Sequence, residues 1–438
     1  MLRRAKLAVK LTVRLLLTVG LLGPSDTPII KNISPCKFDW LRLRFSHETN
    51  TFELSLAVEI ANNSHGSGSN INSANRWVIG RHFRRRHYQQ RIYTFADLAE
   101  LPDRHWKRQI PPSVYLLYPQ ALDMTQVVAD IANCRPIPEA PMFTQTVRFL
   151  NISSTVCAPS RAVERALDAV VMVKSSVYNF ADRQLLRKTY AEESAFRMAL
   201  IFSVGLPRSS GGRFFHRDGF NISLPERAGE SMEKMESQRP EVLRNLTGEV
   251  QLHGDIVLGD YEDTYYNLSL KLFHTFQWAA GFCREHFAHQ QPRPPVFILM
   301  DDDCAFNASH LKAQLDGLSD AEIRRVTWGI PFYEARVIRS PFDKKYGKWA
   351  LSKQEVPWPF HAPYAPSTFL VFGADVLQEI TLAMHFTRQF PVDDAWLGLI
   401  MTKLDLHFER RAHMYQFPPK HVPKELVLAA PYKYLFGS

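Results

Sequence analysis

Apolar positions along this chain fall into two regimes. After Arg161, short apolar runs alternate with segments of helical spacing. Ala166 to Ser175 (ALDAVVMVKS), Arg197 to Gly205 (RMALIFSVG), Gly254 to Asp260 (GDIVLGD) and Pro295 to Asp303 (PVFILMDDD) read as strands. Phe180 to Glu193, Tyr265 to Glu285 and Ala308 to Leu318 read as helices. Strands alternating with helices predict a three-layer α/β domain around a mainly parallel central sheet flanked by helices. A polar, glycine-containing stretch from Pro207 to Arg244 predicts an exposed insertion.

Ahead of Arg161 the pattern is irregular. From Pro24 to about Ser160 it contains a polar tract at Asn62 to Asn75, a basic run at Arg81 to Arg91 and scattered prolines, which predicts a stem with local structure. The basic run reads either as a solvated face or as a site for an acidic partner. The division expected is therefore residues 1–23 as a targeting segment, 24–160 as stem and 161–438 as the functional domain. No internal repeat is evident.

The first 23 residues set Arg3, Arg4, Lys6, Lys10 and Arg14 ahead of an apolar run from Leu15 to Gly23, the order of a secretory signal. The uncharged run is shorter than the roughly 20 residues of a spanning helix. Either it is a cleavable signal, or it is a signal-anchor whose Lys10 and Arg14 snorkel, which is the expectation taken. An amphipathic surface helix is the third reading.

Composition refines this picture. With 438 residues, 45% hydrophobic and 22% charged, the chain buries a real core and is neither disordered nor fibrous. The net charge of +9 is uneven: Met1 to Arg44 holds nine Lys and Arg against two acids, so the remainder is close to neutral. That asymmetry favours a membrane or targeting segment and argues against nucleic acid as a partner. Seven asparagines, Asn32, Asn62, Asn151, Asn221, Asn245, Asn267 and Asn307, lie in N-glycosylation sequons, consistent with passage through a lumenal compartment. The five cysteines allow one or two disulfides there, with pairing not legible from spacing.

The most informative segment is VFILMDDDCAF. Five apolar residues, Val296 to Met300, end in Asp301, Asp302 and Asp303. In an open α/β sheet the carboxyl ends of the strands face the ligand crevice, so a divalent cation is one partner for these charges. Alternate residues of an extended chain share a face, which sets Asp301 and Asp303 together with Asp302 turned away. Hard oxygen ligands suit Mn²⁺, or Mg²⁺, also bound by a substrate diphosphate. The other reading is a solvated acidic turn ahead of the helix at Asn307.

Five segments, in order, resemble the β-1,3-glycosyltransferases of glycosyltransferase family 31. DRQLLRKTY (Asp182 to Tyr190) resembles its RxxxRxTW motif through Arg183, Arg187 and Thr189. FSVG (Phe202 to Gly205) resembles its FxxG strand end. GDIVLGDYEDTYYNLSLK (Gly254 to Lys271) resembles its longest block at Asp255, Asp260, Asp263, Tyr265, Asn267, Leu268 and Lys271. DDD resembles its metal motif, and FPVDDAWLG (Phe390 to Gly398) its late acidic motif. The resemblance covers roughly Leu167 to Leu404. It implies a GT-A fold, a UDP-sugar donor (UDP-galactose or UDP-N-acetylglucosamine), Mn²⁺ held by Asp301 and Asp303, inversion to a β-1,3 linkage, and a glycoprotein or glycolipid acceptor. It further implies a single-pass type II protein of the Golgi membrane with its catalytic domain in the lumen.

An inverting displacement requires a base facing the acceptor hydroxyl. Asp394 is the candidate, with Asp393 as neighbour or substitute; capping and dipole partners at a helix start are the competing reading. Lys174 and Ser175, ending the first strand, and Asp301 and Asp302 are candidates for the donor's uridine or phosphates. Arg183 and Arg187 lie four apart on one helix face, either clamping the nucleotide or pairing with Asp255 or Asp260.

The chain departs from the family where it reads WPFHAPYAPSTFLVFG (Trp358 to Gly373), with Ala365, Pro366, Ser367 and Thr368 in place of a glycine-rich loop. This leaves donor identity open and keeps a non-catalytic secretory-pathway binding or scaffold protein as the alternative. Trp358, His361 and Tyr364 could stack on a sugar or pack the loop. A late histidine ligand has its nearest match in His421, off the expected offset.

Overall fold

The computed structural model describes residues 40–60, 77–78, 92–93, 95–106, 110–116, 118, 122–143, 146–158, 167–193, 195–217, 219–283, 293–414 and 427–429. The amino-terminal segment 1–23, the basic run 81–91, His421 and the sequons at Asn32 and Asn62 lie outside these residues. Among those described, no helix is long and apolar enough to cross a membrane.

Nine strands form one sheet: β1 (Leu41–Ser46), β2 (Thr51–Leu56), β3 (Val147–Asn151), β4 (Ala169–Lys174), β5 (Met198–Leu206), β6 (Ile256–Glu262), β7 (Val296–Asp301), β8 (Thr327–Trp328) and β9 (Phe369–Phe372). Their order is β1-β2-β3-β6-β5-β4-β7-β9-β8. The four strands read from sequence are the contiguous centre, β6-β5-β4-β7, and pair in parallel. The five flanking pairings are antiparallel. The sheet is therefore mixed, which corrects the expectation of a mainly parallel one. The reason lies in the connections: helices return the chain to the same end only at the centre. A four-residue turn joins β1 to β2, and β9 enters from the opposite end.

A second correction concerns the stem. Residues 41–56 and 147–151 are integral to the sheet, since Phe52 pairs with Phe149 and Leu258 with Asn151. Leu54 and Phe149 are fully buried. The insertion likewise carries structure, a hairpin of Phe214–Arg217 with Phe220–Ser223 and a helix at Glu226–Met235.

The central strands are apolar on both faces because helices cover both. We label these α1 (Phe180–Tyr190), α2 (Arg239–His253), α3 (Leu268–Phe282), α4 (Ala374–Ala383) and α5 (Asp393–Lys403). Val170, Met172, Phe297 and Leu299 pack on the side of α3, α4 and α5. Ala169, Val171, Val173, Ile298 and Met300 pack on the side of α1 and α2. A disulfide, Cys157–Cys283, ties the chain after β3 to the end of α3 across 126 residues. Among the described sequons, Asn221 and Asn245 are exposed. The side chains of Asn151, Asn267 and Asn307 are engaged by backbone groups.

Candidate active site

The two-residue period of the strands places the site. Lys174 continues the face of Val170 and Met172, and Asp301 that of Phe297 and Leu299, so both turn toward α5 at the carboxyl edge. They are paired in register. Lys174 Nζ lies 3.0 Å from Asp301 Oδ1 and 2.7 Å from Asp393 Oδ2. It also donates to Ser367 Oγ at 2.6 Å, and that hydroxyl donates to Asp393 Oδ2 at 3.0 Å. One buried lysine thus joins the strand-end acidic motif, the late acidic motif and the divergent loop. Burial opposes its charge, but Asp301 and Asp393 outweigh it and hold its pKa above the ordinary lysine value.

Asp302 turns to the other side, as expected from alternation. Its Oδ2 accepts from Ser175 Oγ at 2.8 Å, Asn179 Nδ2 at 2.9 Å and Ser176 N at 3.3 Å. Arg183 reaches the same Ser175 Oγ at 3.0 Å and is itself fully buried against Glu249. Arg187 pairs with Asp255 at 2.7 Å and Glu249 at 2.8 Å. The salt-bridged alternative therefore describes both arginines. Asp255 is the partner anticipated for Arg187, Asp260 is exposed, and Glu249 on α2 is a partner the sequence reading missed. Both guanidinium groups are engaged by carboxylates.

The corner after β4 is fixed from below. Asp263 Oδ2 accepts from Val177 N and Gly205 N, both at 3.0 Å. Asp263 also pairs with Lys271 at 2.7 Å, and Lys271 donates to the Ser175 carbonyl. A Cβ on Gly205 would meet the Tyr261 carbonyl at 2.6 Å, so only glycine fits beside it.

The carboxylates differ in environment. Burial pushes the Asp301 carboxyl up to about 6; Lys174 opposes this, while the charges of Asp303 and Asp393 add to it. Asp301 keeps about a third of its side chain open, and the protein around it still desolvates the carboxyl. Burial and then the charge of Asp393 push Asp394 up to about 7, against the Ala395 N–H and Lys174. Asp394 Oδ1 accepts from Ala395 N at 2.7 Å, so part of the helix-start reading is realised. Asp393, bound to Lys174 and Ser367, is the more enclosed of the pair.

Among the described residues no group of three or more His, Cys, Asp or Glu side chains is arranged to hold a metal by itself. Asp301 and Asp303 nevertheless fit an ion that keeps water and phosphate oxygens in its shell. Both offer hard oxygens at the strand end, and their mutual repulsion is what a cation relieves.

The divergent loop packs inward. Trp358 is buried against Tyr115 and Tyr118, and His361 is buried against Phe390, so neither ring presents a face for a sugar. Tyr364 is half-buried and near enough to feel the Asp394 charge. Sequence reading also missed Ser367, which appeared there only as a lost glycine, and the pair Tyr265 and Trp349, whose Oη and Nε1 meet at 2.5 Å.

Comparison with known proteins places residues 234–412 within the profile of the family described as Galactosyltransferase. Over 269 residues the chain is 26% identical to beta-1,3-galactosyltransferase 5 of Gorilla gorilla gorilla, covering 61% of this chain and 74% of that protein. Over 253 residues it is 27% identical to UDP-GlcNAc:betaGal beta-1,3-N-acetylglucosaminyltransferase 9 of Bos taurus, covering 57% and 55%. Over 249 residues it is 24% identical to lactosylceramide 1,3-N-acetyl-beta-D-glucosaminyltransferase of Homo sapiens, covering 54% of each.

Proposed function

The chain belongs to the galactosyltransferase family, glycosyltransferase family 31, and from that premise we propose that it transfers galactose or N-acetylglucosamine from a UDP-sugar to a glycan hydroxyl in β-1,3 linkage with inversion. The observation that carries this reading is the convergence of Asp301, Asp393 and Ser367 on Lys174, which brings the two acidic motifs of the family to one cleft. We read the mixed sheet as a GT-A-type domain, and the chain as a type II Golgi membrane protein with that domain in the lumen. The acceptor is a glycan of a glycoprotein or glycolipid.

Asp394 is the base. Its carboxylate accepts the proton of the acceptor hydroxyl as that oxygen bonds to the anomeric carbon, and the bond from this carbon to the diphosphate oxygen breaks with its electron pair leaving on UDP. A raised pKa near the working pH suits this role, because the group is both available and basic enough. Asp393, held by Lys174 and Ser367, orients the first turn of α5 and keeps a neighbouring charge that adds to burial in making Asp394 basic. Asp301 and Asp303 would hold Mn²⁺, or Mg²⁺ in its place, which when bound neutralises charge on the departing diphosphate. Asp302, with Arg183 behind it, fixes Ser175 and the strand end on which the donor rests. Arg187 steadies Glu249 and acts at one remove.

Asp394→Asn tests the assignment. Transfer, followed as UDP release, is expected to fall about 10²- to 10⁴-fold while UDP binding stays near native. Equal loss of both would remove Asp394 from the base role. A donor screen with several UDP-sugars, with and without Mn²⁺, identifies the sugar; no turnover with any of them would favour a binding or scaffold role.

A further inference from the structure

Lys348 stands out among the cations of this molecule. Its ammonium is half-buried, yet among the described residues no carboxylate lies within ion-pair distance; the opposite charge acting on it is the more distant Glu226. Two aromatic rings hold it instead, with Nζ 5.3 Å from the centre of Tyr265 and 5.1 Å from that of Trp349. Burial lowers its pKa, the sign expected of an ammonium short of counter-charge.

The corner is built to stay in place. Lys348 sits on the 3-10 turn Gly347–Trp349. Asp343 Oδ1 accepts from Lys345 N at 2.9 Å and Tyr346 N at 2.7 Å, and Gly347 lies so close that a Cβ would meet the Pro341 carbonyl at 2.4 Å. Arg217 from the insertion hairpin bonds the Ala350 carbonyl at 2.7 Å. Trp349 Nε1 donates to Tyr265 Oη, and Tyr265 lies in the field of Asp393, Asp394 and Asp301. The corner therefore lies beside the carboxylate cluster.

A partly desolvated cation without a partner is costly unless a ligand supplies the anion. The cleft beside it is dominated by carboxylates, so a bound nucleoside diphosphate brings still more negative charge. Resting on the transferase reading above, we propose that Lys348 is a binding contact for the diphosphate of the donor, with Tyr265 and Trp349 as its positioning residues.

The test compares UDP and uridine titrations, followed by isothermal titration calorimetry, for the native chain, Lys348→Met and Lys348→Arg in the presence of Mn²⁺. Lys348→Met is expected to weaken UDP about tenfold and leave uridine unchanged, and Lys348→Arg to restore most of the loss. Unchanged UDP affinity in Lys348→Met would overturn the proposal, as would equal weakening of UDP and uridine, which marks a merely structural role. Failure of the native chain to bind UDP is a separate outcome, which removes the transferase reading and this inference with it.

Discussion

Lys174 lies between Asp301 and Asp393, and the separation of the three in sequence hides how closely they are coupled. Lys174→Met removes the counter-ion of a buried carboxylate, and by the usual cost of breaking such a pair stability falls by about 3–5 kcal/mol, measurable by denaturant unfolding. Asp394 adds a pH dependence. Its pKa rises from 3.8 to about 7 in the folded chain, so the base is lost as pH falls through about 7. The acid limb of kcat/KM is expected there, and a flat profile between about pH 6 and 8 would contradict it. The stability sign is opposite: between 3.8 and about 7 the folded state keeps a proton that the unfolded chain has released, so this group's contribution to stability declines as pH rises across that window. The acidic residues themselves were legible, because charges at the end of an apolar run are a local signal. Glu249 and Lys348 were not, since nothing nearby in sequence distinguishes them from surface residues, and Ser367 was visible only as a replaced glycine.

Helix α5 carries both late aspartates, and its docking depends on one residue of the FPVDDAWLG segment. A Cβ on Gly398 would meet Tyr364 Cβ at 2.4 Å and the Pro363 carbonyl at 2.5 Å, so the helix backbone lies directly against the backbone of the divergent loop. Gly398→Ala must push helix and loop apart. Overpacking of this kind costs about 1–3 kcal/mol. Because the displaced helix carries Asp394, transfer is expected to fall further than UDP affinity, as kinetics and titration of the same variant would tell. The strands and helices of the central unit were readable with ends off by at most three residues, since their apolar periods are strong. The β1–β2 hairpin also left a readable trace in the alternation of Leu41, Leu43 and Phe45 and of Phe52, Leu54 and Leu56. The irregular stretch around it obscured that pattern, and its place in the sheet depends on pairing with β3 nearly a hundred residues on.

At the scale of the whole molecule, the disulfide Cys157–Cys283 fastens the chain after β3 to α3, which packs against β1 and β2 where Gly281 faces Leu41 and Leu54. Replacing both cysteines by serine releases a closure of 126 residues and is expected to lower stability by about 2–5 kcal/mol, checked as a shift of the unfolding midpoint under non-reducing conditions. The antiparallel margins then become integral supports of the parallel centre, which a stem would not be. By itself the sequence determined the order of the central strands along the chain, the helices between them, the acidic strand end and the family motifs, because each is written in neighbouring residues. Only the tertiary structure decided which strands lie side by side, that Lys174 meets Asp393 across 219 residues, that Arg183 serves Glu249 and Ser175, and that Lys348 is left with aromatic rings in place of a carboxylate. These depend on sheet register and helix docking, where the energy lies in contacts between distant segments that no local pattern encodes.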